Sequence, residues 1–337
     1  MKAYLLKEAG KPETLKISEA LKPTPKDDEV LIKTEALGIN YAEILSRKGQ
    51  YQWAPKKPYI PGMEAFGTIE ALGKNVTSHK VGDQVICGMQ YGSYAEYICT
   101  KEWLAFPGIK GFTAEENAAL LVNFMTAWVA LVKLGRVTSG ERVLIHAGAG
   151  GVGSAAIKLA KAMGCQVYAT AGSDDKVKLM KTLGADIPIN YRKEEFDQYL
   201  KDKGVDSVDF VLEVVGGEVF RKSIDLLAPF GRLVVAGYAS IPFKKWNPLT
   251  WWQTWKDAPK AQVMDMAKKS IGLYATHIGY LTSNETVSTQ VVKEMYQFVA
   301  KHKLKPLVGK TFTFDQMSEA HAYMESRRSV GKIIVKF

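Results

Sequence analysis

The residues whose types and spacing best suggest chemistry form a glycine-rich segment near the middle of the chain. Residues 148–153 read Gly-Ala-Gly-Gly-Val-Gly and satisfy the pattern G-x-G-x-x-G. They follow a predicted apolar strand, Arg142–Ala147, and open a predicted helix, Gly151–Met163. Glycines let the backbone approach a pyrophosphate, and the helix N-terminus offers unpaired N–H groups to it. The alternative is a turn that only packs a helix on a strand, but the strand–helix steps that follow favour a dinucleotide-binding loop.

The residues after the second predicted strand indicate which nicotinamide cofactor is bound. NAD-binding folds place an Asp or Glu at the tip of that strand, where it binds the ribose 2′-hydroxyl. Here the strand Gln166–Thr170 has no carboxylate at its tip, whereas Ser173, Lys176 and Tyr191 are expected to converge there. A hydroxyl, a cation and a phenol suit a 2′-phosphate, so the prediction is NADP(H). The acidic pair at 174–175 is the counter-evidence, unless it only favours the positive end of its helix.

Two different sequence patterns along the chain predict the strands and helices that position these residues. The first hundred residues read as short strands between Gly, Pro and Asp turns, which is typical of a small all-β barrel. A helix is predicted to begin after Thr113, because Glu116 completes a capping box, and its apolar run extends to Leu134. The predicted N-terminal strands are Lys2–Leu6, Leu15–Ser18, Val30–Leu37, Ala65–Leu72, Gln84–Cys87 and Tyr94–Cys99.

Beyond residue 142, strands alternate with helices, which predicts βαβ units and a doubly wound parallel sheet in an α/β protein. The later predicted strands are Ile187–Asn190, Val208–Val214, Arg232–Ala236 and Ser270–Ala275, with helices at Asp174–Leu183, Lys193–Lys201, Glu218–Leu227 and about Asp257–Lys268. After Gly279 the chain holds two predicted helices and one strand, too few for a domain. We therefore expect residues 1–123 and 277–337 to form one domain, interrupted by a second domain at 124–276.

Composition excludes several classes of protein. The 337 residues are 47% hydrophobic and 24% charged, which is typical of a globular chain, and the longest charge-free apolar stretch is too short to cross a bilayer. Three cysteines make no disulfide framework, and no signal-peptide core is apparent, so we expect a cytoplasmic protein. The net charge of +10 favours anionic partners. Because the basic residues are dispersed, a nucleic-acid surface is possible but not favoured.

Several motifs together resemble one large family. The chain resembles the medium-chain dehydrogenase/reductase superfamily, and within it the zinc-independent quinone oxidoreductase branch that includes zeta-crystallin-like proteins. That resemblance implies a GroES-like β-barrel domain, a Rossmann domain and a homodimer. It rests on Gly38-Ile39-Asn40, Arg47 to Tyr51, Pro61 to Glu64 with Gly67, Thr126-Ala127-Trp128, His146 to Gly153, and Leu183 to Asp186 leading to Asn190-Tyr191-Arg192.

The resemblance also implies roles for individual residues. Tyr51 is expected to line the substrate cleft and donate a proton, unless it is only a packed aromatic near Trp53 and Tyr59. Asn40 is expected to face the nicotinamide or the acceptor oxygen, and Thr126 the nicotinamide ribose. Glu43 stands where the family commonly has Asp. For the cofactor, the implied contacts are Ala149, Gly150, Gly151, Val152 and Gly153 on the pyrophosphate, Ser173, Lys176 and Tyr191 on the 2′-phosphate, and Val214, Val215, Gly237 and Tyr238 around adenine and nicotinamide.

The positions that hold catalytic zinc in related alcohol dehydrogenases look like Asn40, Met63 and Asn123 in this chain. None is a thiolate or imidazole, so we predict that no metal is bound. Without a Lewis acid, the acceptor must already be electrophilic. Quinones and conjugated carbonyls qualify because they delocalise the incoming charge. The predicted reaction is therefore hydride transfer from NADPH to a quinone or to the conjugated C=C of an enone or enal.

An aromatic segment departs from the common pattern of the branch. Four of the seven tryptophans, Trp246, Trp251, Trp252 and Trp255, lie within ten residues, and the segment resembles that of the vesicle amine transport protein homologues. A dimer contact is the favoured interpretation, ahead of an aromatic lid or a membrane-interface patch. Two other functions stay open: an enoyl-thioester reductase, and a non-catalytic NADP-binding protein at membranes or nucleic acid.

Overall fold

A computed structural model describes residues 1–237 and 260–337 of the chain. The chain divides into two compact units. The first unit contains Met1–Met125 and Ile278–Phe337, and the second unit is Thr126–His277. Among the described residues, none of the helices combines the length and apolar character that a bilayer crossing requires.

The second unit is built on a parallel six-stranded sheet. Its order is β10-β9-β8-β11-β12-β13, and every neighbouring pair is parallel. The chain runs outward in both directions from β8, so the topology switches between β8 and β11, where such sheets bind ligands. The predicted doubly wound sheet is confirmed. Its strands are β8 Arg142–Ile145, β9 Gln166–Ala171, β10 Ile187–Asn190, β11 Val208–Glu213, β12 Leu227–Val235 and β13 Gly272–Ala275.

Helices cover the second unit's sheet because each crossover between parallel strands needs one. Apart from Arg142 and Asp209, the residues of β8 and β11 are buried, as expected of strands covered on both faces. The described helices are α4 Gly151–Ala162, α5 Asp174–Leu183, α6 Phe196–Asp202, α7 Gly217–Asp225 and α8 Val263–Lys269.

The first unit contains a seven-stranded sheet in the order β14-β15-β3-β4-β5-β7, with β6 also paired to β3. The final strand, β15, runs antiparallel to β3 and places Ile333 opposite Ile39. A separate antiparallel pair joins β1 and β2. The strands are β1 Lys2–Tyr4, β2 Ile17–Glu19, β3 Glu29–Ile39, β4 Glu64–Leu72, β5 Gln84–Gly88, β6 Tyr97–Lys101, β7 Ala105–Pro107, β14 Val308–Thr313 and β15 Lys332–Lys336.

Short helices connect and cover these strands. The helix predicted over 113–134 is divided into α2, α3 and a π-helical turn, Val129–Leu134. The prediction also missed α1, although Asn40 and Glu43 at its start have capping-box spacing. The bounds are α1 Tyr41–Arg47, α2 Ala114–Ala118, α3 Leu121–Trp128, α9 Ile278–Leu281, α10 Glu285–His302 and α11 Met317–Glu325.

The capping box at Thr113 forms as predicted, and its energetic value is testable. The Thr113 hydroxyl accepts from Glu116 N–H at 3.2 Å, and the Glu116 carboxylate accepts from Thr113 N–H at 2.9 Å. Thr113→Ala should lower the free energy of unfolding by about 1 kcal/mol, as measured by chemical denaturation. Thr182→Ala is the matched control, because its exposed hydroxyl bonds only Leu179 O within α5. Equal losses in the two variants would contradict a capping role.

Candidate functional site

The loop between β8 and α4 adopts a conformation that depends on glycine. Ala147 has a left-handed φ of +52°, so the chain turns sharply directly after His146. A Cβ on Gly153 would lie 2.3 Å from Ala147 O and 2.7 Å from Gly148 Cα. Because real Cβ atoms do not approach so closely, glycine at 153 is what lets α4 begin against the loop.

The buried side chain of His146, which directly precedes this loop, is held by two hydrogen bonds. Ser223 Oγ donates its only proton to Val219 O at 2.6 Å, so it accepts from His146 Nε2 at 2.9 Å. The Nδ1 atom then accepts from the Thr170 hydroxyl at 3.0 Å. Burial lowers the pKa of His146 to about 3, which keeps the ring neutral in this arrangement. The histidine therefore joins β8, β9 and α7 beneath the loop.

The start of α4 presents backbone donors that no side chain caps. Gly150 precedes the helix without a side-chain cap, and a Cβ there would crowd Ala147 O at 3.3 Å. Gly151 and Val152 are half-buried, whereas Ala149 and Gly153 are buried. The first N–H groups of any helix lack intrahelical acceptors, so these backbone donors suit a pyrophosphate. The predicted contacts of residues 149–153 with a pyrophosphate stay a prediction that these uncapped donors support.

Of the two aspartates that could have opposed a phosphate, Asp174 is held by other partners and Asp175 is exposed. Asp174 accepts from Asn190 Nδ2 at 2.8 Å and pairs with Lys193 Nζ at 2.7 Å, which lowers the pKa of Asp174. The Asp175 side chain is 97% exposed. Ser173 caps α5 by accepting from Lys176 N–H. The acidic pair therefore gives little support to an NAD-type carboxylate at the β9 tip.

Cations and a phenol gather at the same end of β9. Burial and the neighbouring charge of Arg192 lower the pKa of Lys176, so these two cations lie close together. The Tyr191 hydroxyl packs closely against Gly172: it lies 2.6 Å from the position that a Cβ on Gly172 would take. Arg192 Nε lies 3.4 Å from the same position. Two neighbouring cations favour an anion between or beside them. Arg192 was not among the predicted contacts, although its Nε lies near the same point as the Tyr191 hydroxyl.

The turn after β11 holds the next predicted cofactor residues. The buried carboxylate of Glu213 accepts from Val215 N–H at 2.7 Å and Gly216 N–H at 2.9 Å, which folds the chain back at the end of the strand. Val214 and Val215 are half-buried at this turn. Gly237 follows β12, and a Cβ there would meet nothing within 4 Å. Tyr238 and the tryptophan cluster, Trp246 to Trp255, lie outside the described residues.

In the first unit, Asn40 belongs to a buried polar cluster around Glu43. One Glu43 oxygen accepts from Asn40 N–H at 2.9 Å and from the Tyr94 hydroxyl at 2.5 Å. The other accepts from Met63 N–H at 2.9 Å and from Asn40 Nδ2 at 3.3 Å. Burial raises the pKa of Glu43 to about 7, while these donors restrain the rise. The cluster fixes Asn40 from both its backbone and its amide.

A second carboxylate and a lysine complete the surroundings of Asn40. Its Nδ2 donates to Glu64 Oε1 at 3.2 Å, and its Oδ1 accepts from Lys332 Nζ at 2.5 Å. Lys332 also pairs directly with Glu64, and both side chains are buried. Glu64 Oε2 accepts from Val122 N–H at 2.9 Å. Every polar atom of the Asn40 amide is thus engaged by a charged partner.

Tyr51 lies in an aromatic group with Trp53 and Tyr280. The Tyr51 and Trp53 ring centroids are 5.4 Å apart, and those of Trp53 and Tyr280 are 5.3 Å apart, both edge-on. Burial, with the nearby charge of Glu43, raises the pKa of Tyr51 to about 12. Tyr59 instead bonds Ser46. Thr126, the remaining predicted catalytic residue, is buried in α3 at the start of the second unit.

Comparisons with known proteins agree with this architecture. Residues 26–115 match the alcohol dehydrogenase GroES-like domain, and residues 183–335 match the zinc-binding dehydrogenase family. The human quinone oxidoreductase is 32% identical over 346 residues, covering 99% of this chain and 97% of the relative. The chain belongs to the medium-chain dehydrogenase/reductase superfamily. The predicted family and its GroES-like and Rossmann-type parts are confirmed.

Other members of the superfamily are similar over the whole chain. The Escherichia coli quinone oxidoreductase, solved with NADPH, has a TM-score of 0.88 at 25% identity, and that from Thermus thermophilus has 0.80 at 31%, each covering 100% of both chains. A Danio rerio synaptic vesicle membrane protein VAT-1 homologue is 32% identical over 93% of this chain. The chain spans 65% of that relative's length.

The zinc in one matching family's description does not fit the residues of this chain. The Asn40 amide already donates to Glu64 and accepts from Lys332. The Asn123 Nδ2 donates to Ala119 O at 3.4 Å. Catalytic zinc requires three protein ligands drawn from thiolates, imidazoles and carboxylates. No group of three or more such side chains with metal-binding geometry occurs in residues 1–237 or 260–337. The cation beside Asn40 is instead the ammonium of Lys332.

Sequence reasoning named Glu43 and Glu64 but missed the more distant residues that join them around Asn40. Lys332 and Asn40 are 292 positions apart, and His321 contacts Tyr94 across 227 positions. Neither pair forms a local motif. The capping-box spacing of Asn40 and Glu43 is the one signal that could have linked part of this cluster.

The cation group at the end of β9 predicts how the chain discriminates between cofactors. Lys176→Ala should weaken NADPH binding about ten- to hundredfold and leave NADH binding nearly unchanged, because only NADPH carries the 2′-phosphate. Titration of intrinsic fluorescence with each cofactor measures both constants. Lys178→Ala is the control, since that side chain lies on the same helix and is 81% exposed. A parallel loss of NADH affinity would contradict the assignment.

Proposed function

We propose that the chain is an NADPH-dependent oxidoreductase that reduces quinones or the conjugated C=C of enones and enals without zinc. The observation that carries this proposal concerns Asn40, which stands at a position that resembles a zinc-ligand position. Its amide is hydrogen-bonded to Lys332 and Glu64. A site of this kind supplies hydrogen bonds and fixed charge but no Lewis acid. It therefore suits acceptors that delocalise incoming charge themselves.

The cofactor part of the proposal rests on the second unit. Backbone donors at residues 149–153 are suited to the pyrophosphate, and Ser173, Lys176, Tyr191 and Arg192 to the 2′-phosphate. Val214, Val215 and Gly237 stand at the ends of β11 and β12, where a dinucleotide crosses such sheets. The quinone oxidoreductases from Escherichia coli and Thermus thermophilus, both similar to this chain, were solved with NADPH. When bound, NADPH supplies the hydride.

The first unit supplies a proton and an aromatic surface. The Tyr51 hydroxyl carries its proton at neutral pH, as any phenol does, and we assign it as the proton donor to the acceptor oxygen or carbanion. Burial raises its pKa to about 12, which makes it a weaker acid, so it suits a strongly basic oxyanion or carbanion. Trp53 and Tyr280 extend an edge-to-face aromatic surface beside it, which suits a planar conjugated acceptor. We assign Asn40 to orienting the nicotinamide through the second lone pair of its Oδ1, because its Nδ2 already donates to Glu43 and Glu64. We assign Thr126 to the nicotinamide ribose.

The proposal also retains the predicted organisation. Residues 1–123 with 277–337 would bind the acceptor, and residues 124–276 the cofactor. The homodimer is supported by β13, an edge strand of the described sheet that leaves Tyr274 42% exposed. The cytoplasmic location is supported by the free thiols of Cys87, Cys99 and Cys165.

The central test follows NADPH by its absorbance: its oxidation with 1,4-benzoquinone, a 2-alkenal or acetaldehyde as separate acceptors, and its formation from NADP⁺ with ethanol. We expect turnover with the first two, little with the aliphatic pair, and no change after dialysis against a chelator. The Lys176→Ala variant serves as the control, because it should raise the KM for NADPH without changing which acceptors are reduced. Loss of activity on chelation, or brisk oxidation of ethanol, would overturn the proposal.

The Tyr51 hydroxyl also tests the alternative in which the substrate is an enoyl thioester. If the substrate is an enoyl thioester, Tyr51→Phe should lower kcat about 10²- to 10⁴-fold, since the carbanion formed needs a positioned proton donor. The NADPH dissociation constant should stay unchanged. Tyr91→Phe is a matched control, because that tyrosine is 48% exposed and contacts Tyr59 rather than Tyr51. Unchanged kcat in Tyr51→Phe with every acceptor would leave the residue a packing role.

A further inference from the structure

A line of buried side chains connects the surface of the first unit to Glu43. Arg47 Nε donates to His321 Nδ1 at 3.3 Å, and His321 Nε2 lies 2.9 Å from the Tyr94 hydroxyl. That hydroxyl donates to Glu43 Oε2 at 2.5 Å. At the outer end, Arg47 is held by Glu325 and by Gly10 O, each at 2.5 Å.

The direction of each hydrogen bond in this line is determined by its ends. Arginine has donors and no acceptor, so His321 Nδ1 must accept. Burial and the charge of Arg47 lower the pKa of His321 to about 3, so the neutral ring carries its proton on Nε2. That proton points at the Tyr94 oxygen, which leaves the hydroxyl proton for Glu43. All the bonds therefore run one way, from the guanidinium toward the carboxylate.

We propose that Tyr94 and His321 are positioning residues, which act through Glu43 to hold the Asn40 amide in a single orientation. The four bonds to Glu43 come from four donors, an arrangement that matches an unprotonated carboxylate and leaves no acceptor for an added proton. A protonated Glu43 would have to break one of them. Since two of the four come from Asn40 itself, the state of Glu43 determines how Asn40 is held.

The same geometry excludes proton conduction along the line. A proton passed from Tyr94 to Glu43 would be replaced from His321 Nε2, and the imidazole would then need a proton at Nδ1. Arg47 already donates there, and a guanidinium does not give up its proton in proteins. These hydrogen bonds therefore fix the orientations of the side chains and do not carry protons. A proton delivered to the substrate must come from another group, such as Tyr51.

Other charged and titratable groups also face the cluster. In the segment that follows α1, Tyr51 and Tyr59 lie near enough to Glu43 for its charge to help raise the pKa values of their hydroxyls. From β15, the charge of Lys332 opposes the effect of burial on the pKa of Glu43. Among the described residues, the titratable or charged side chains that act directly on the Glu43 carboxylate or are acted on by it are Tyr51, Tyr59, Tyr94 and Lys332. Glu64 is linked to it by Asn40, and Arg47 and His321 are linked to it by Tyr94.

Protonation of Glu43 can be followed without any enzymatic activity. In infrared titrations, the pH-dependent carboxyl band that is lost in Glu43→Gln reports this residue alone. We expect a midpoint near pH 7 in the unsubstituted chain. Tyr94→Phe removes one donor to the charged form, so the midpoint should rise by about one pH unit. Tyr4→Phe is the matched control, because it removes another buried hydroxyl, bonded to Phe314 O at 2.7 Å, in the same unit.

The kinetic part of this test rests on the proposed function. The acid limb of the kcat profile for quinone reduction should follow the infrared midpoint in each variant, with little change in the KM for NADPH. Equal midpoints in Tyr94→Phe, Tyr4→Phe and the unsubstituted chain would overturn the positioning role, even if quinone is reduced. A shifted midpoint in a chain that reduces no acceptor would support the positioning role and refute the proposed function instead.

Discussion

The buried ion pair between Lys332 and Glu64 is the interaction on which the first unit's site depends. Both side chains are almost fully inaccessible to solvent, so each charge needs a partner in the interior. Their hydrogen bonds reach the Asn40 amide and the N–H of Val122. The pair therefore connects β15, β4, the start of α1 and the start of α3. Removing either charge would leave the other buried and unpaired, which is strongly destabilising.

Backbone sterics make this pair possible. A Cβ on Gly38 would lie 2.5 Å from Lys332 Cε and 2.9 Å from Glu64 Oε1, so only glycine on β3 leaves space for the lysine to pass. The same principle appears in the second unit, where Gly153 permits α4 to start against the loop. In the first unit, Lys332 fills the space that Gly38 leaves. In the second unit, Gly153 lets the helix start, and the buried His146 holds the loop in place by its hydrogen bonds.

Local patterns predicted much of the fold because they depend on neighbouring residues. The alternation of strands and helices beyond residue 142, the loop at 148–153 and the capping box at Thr113 were all readable from spacing, since periodicity and turn chemistry act over a few residues. The elements that were missed are short. α1 interrupts a β-rich region for seven residues, and β14 lies between two helices with little alternation of its own. Tertiary packing, rather than propensity, stabilises such pieces.

The sequence by itself determined the nucleotide loop, the absence of a carboxylate at the tip of β9 and the lack of thiolates or imidazoles at Asn40, Met63 and Asn123, because these depend on residue type and near neighbours. Only the tertiary structure decided what surrounds Asn40. The register of β15 against β3 brings Lys332 to it across 292 positions, and the packing of α11 brings His321 to Tyr94 across 227. Hydrogen bonding at such separations leaves no local pattern, since it exists only once the chain has closed on itself.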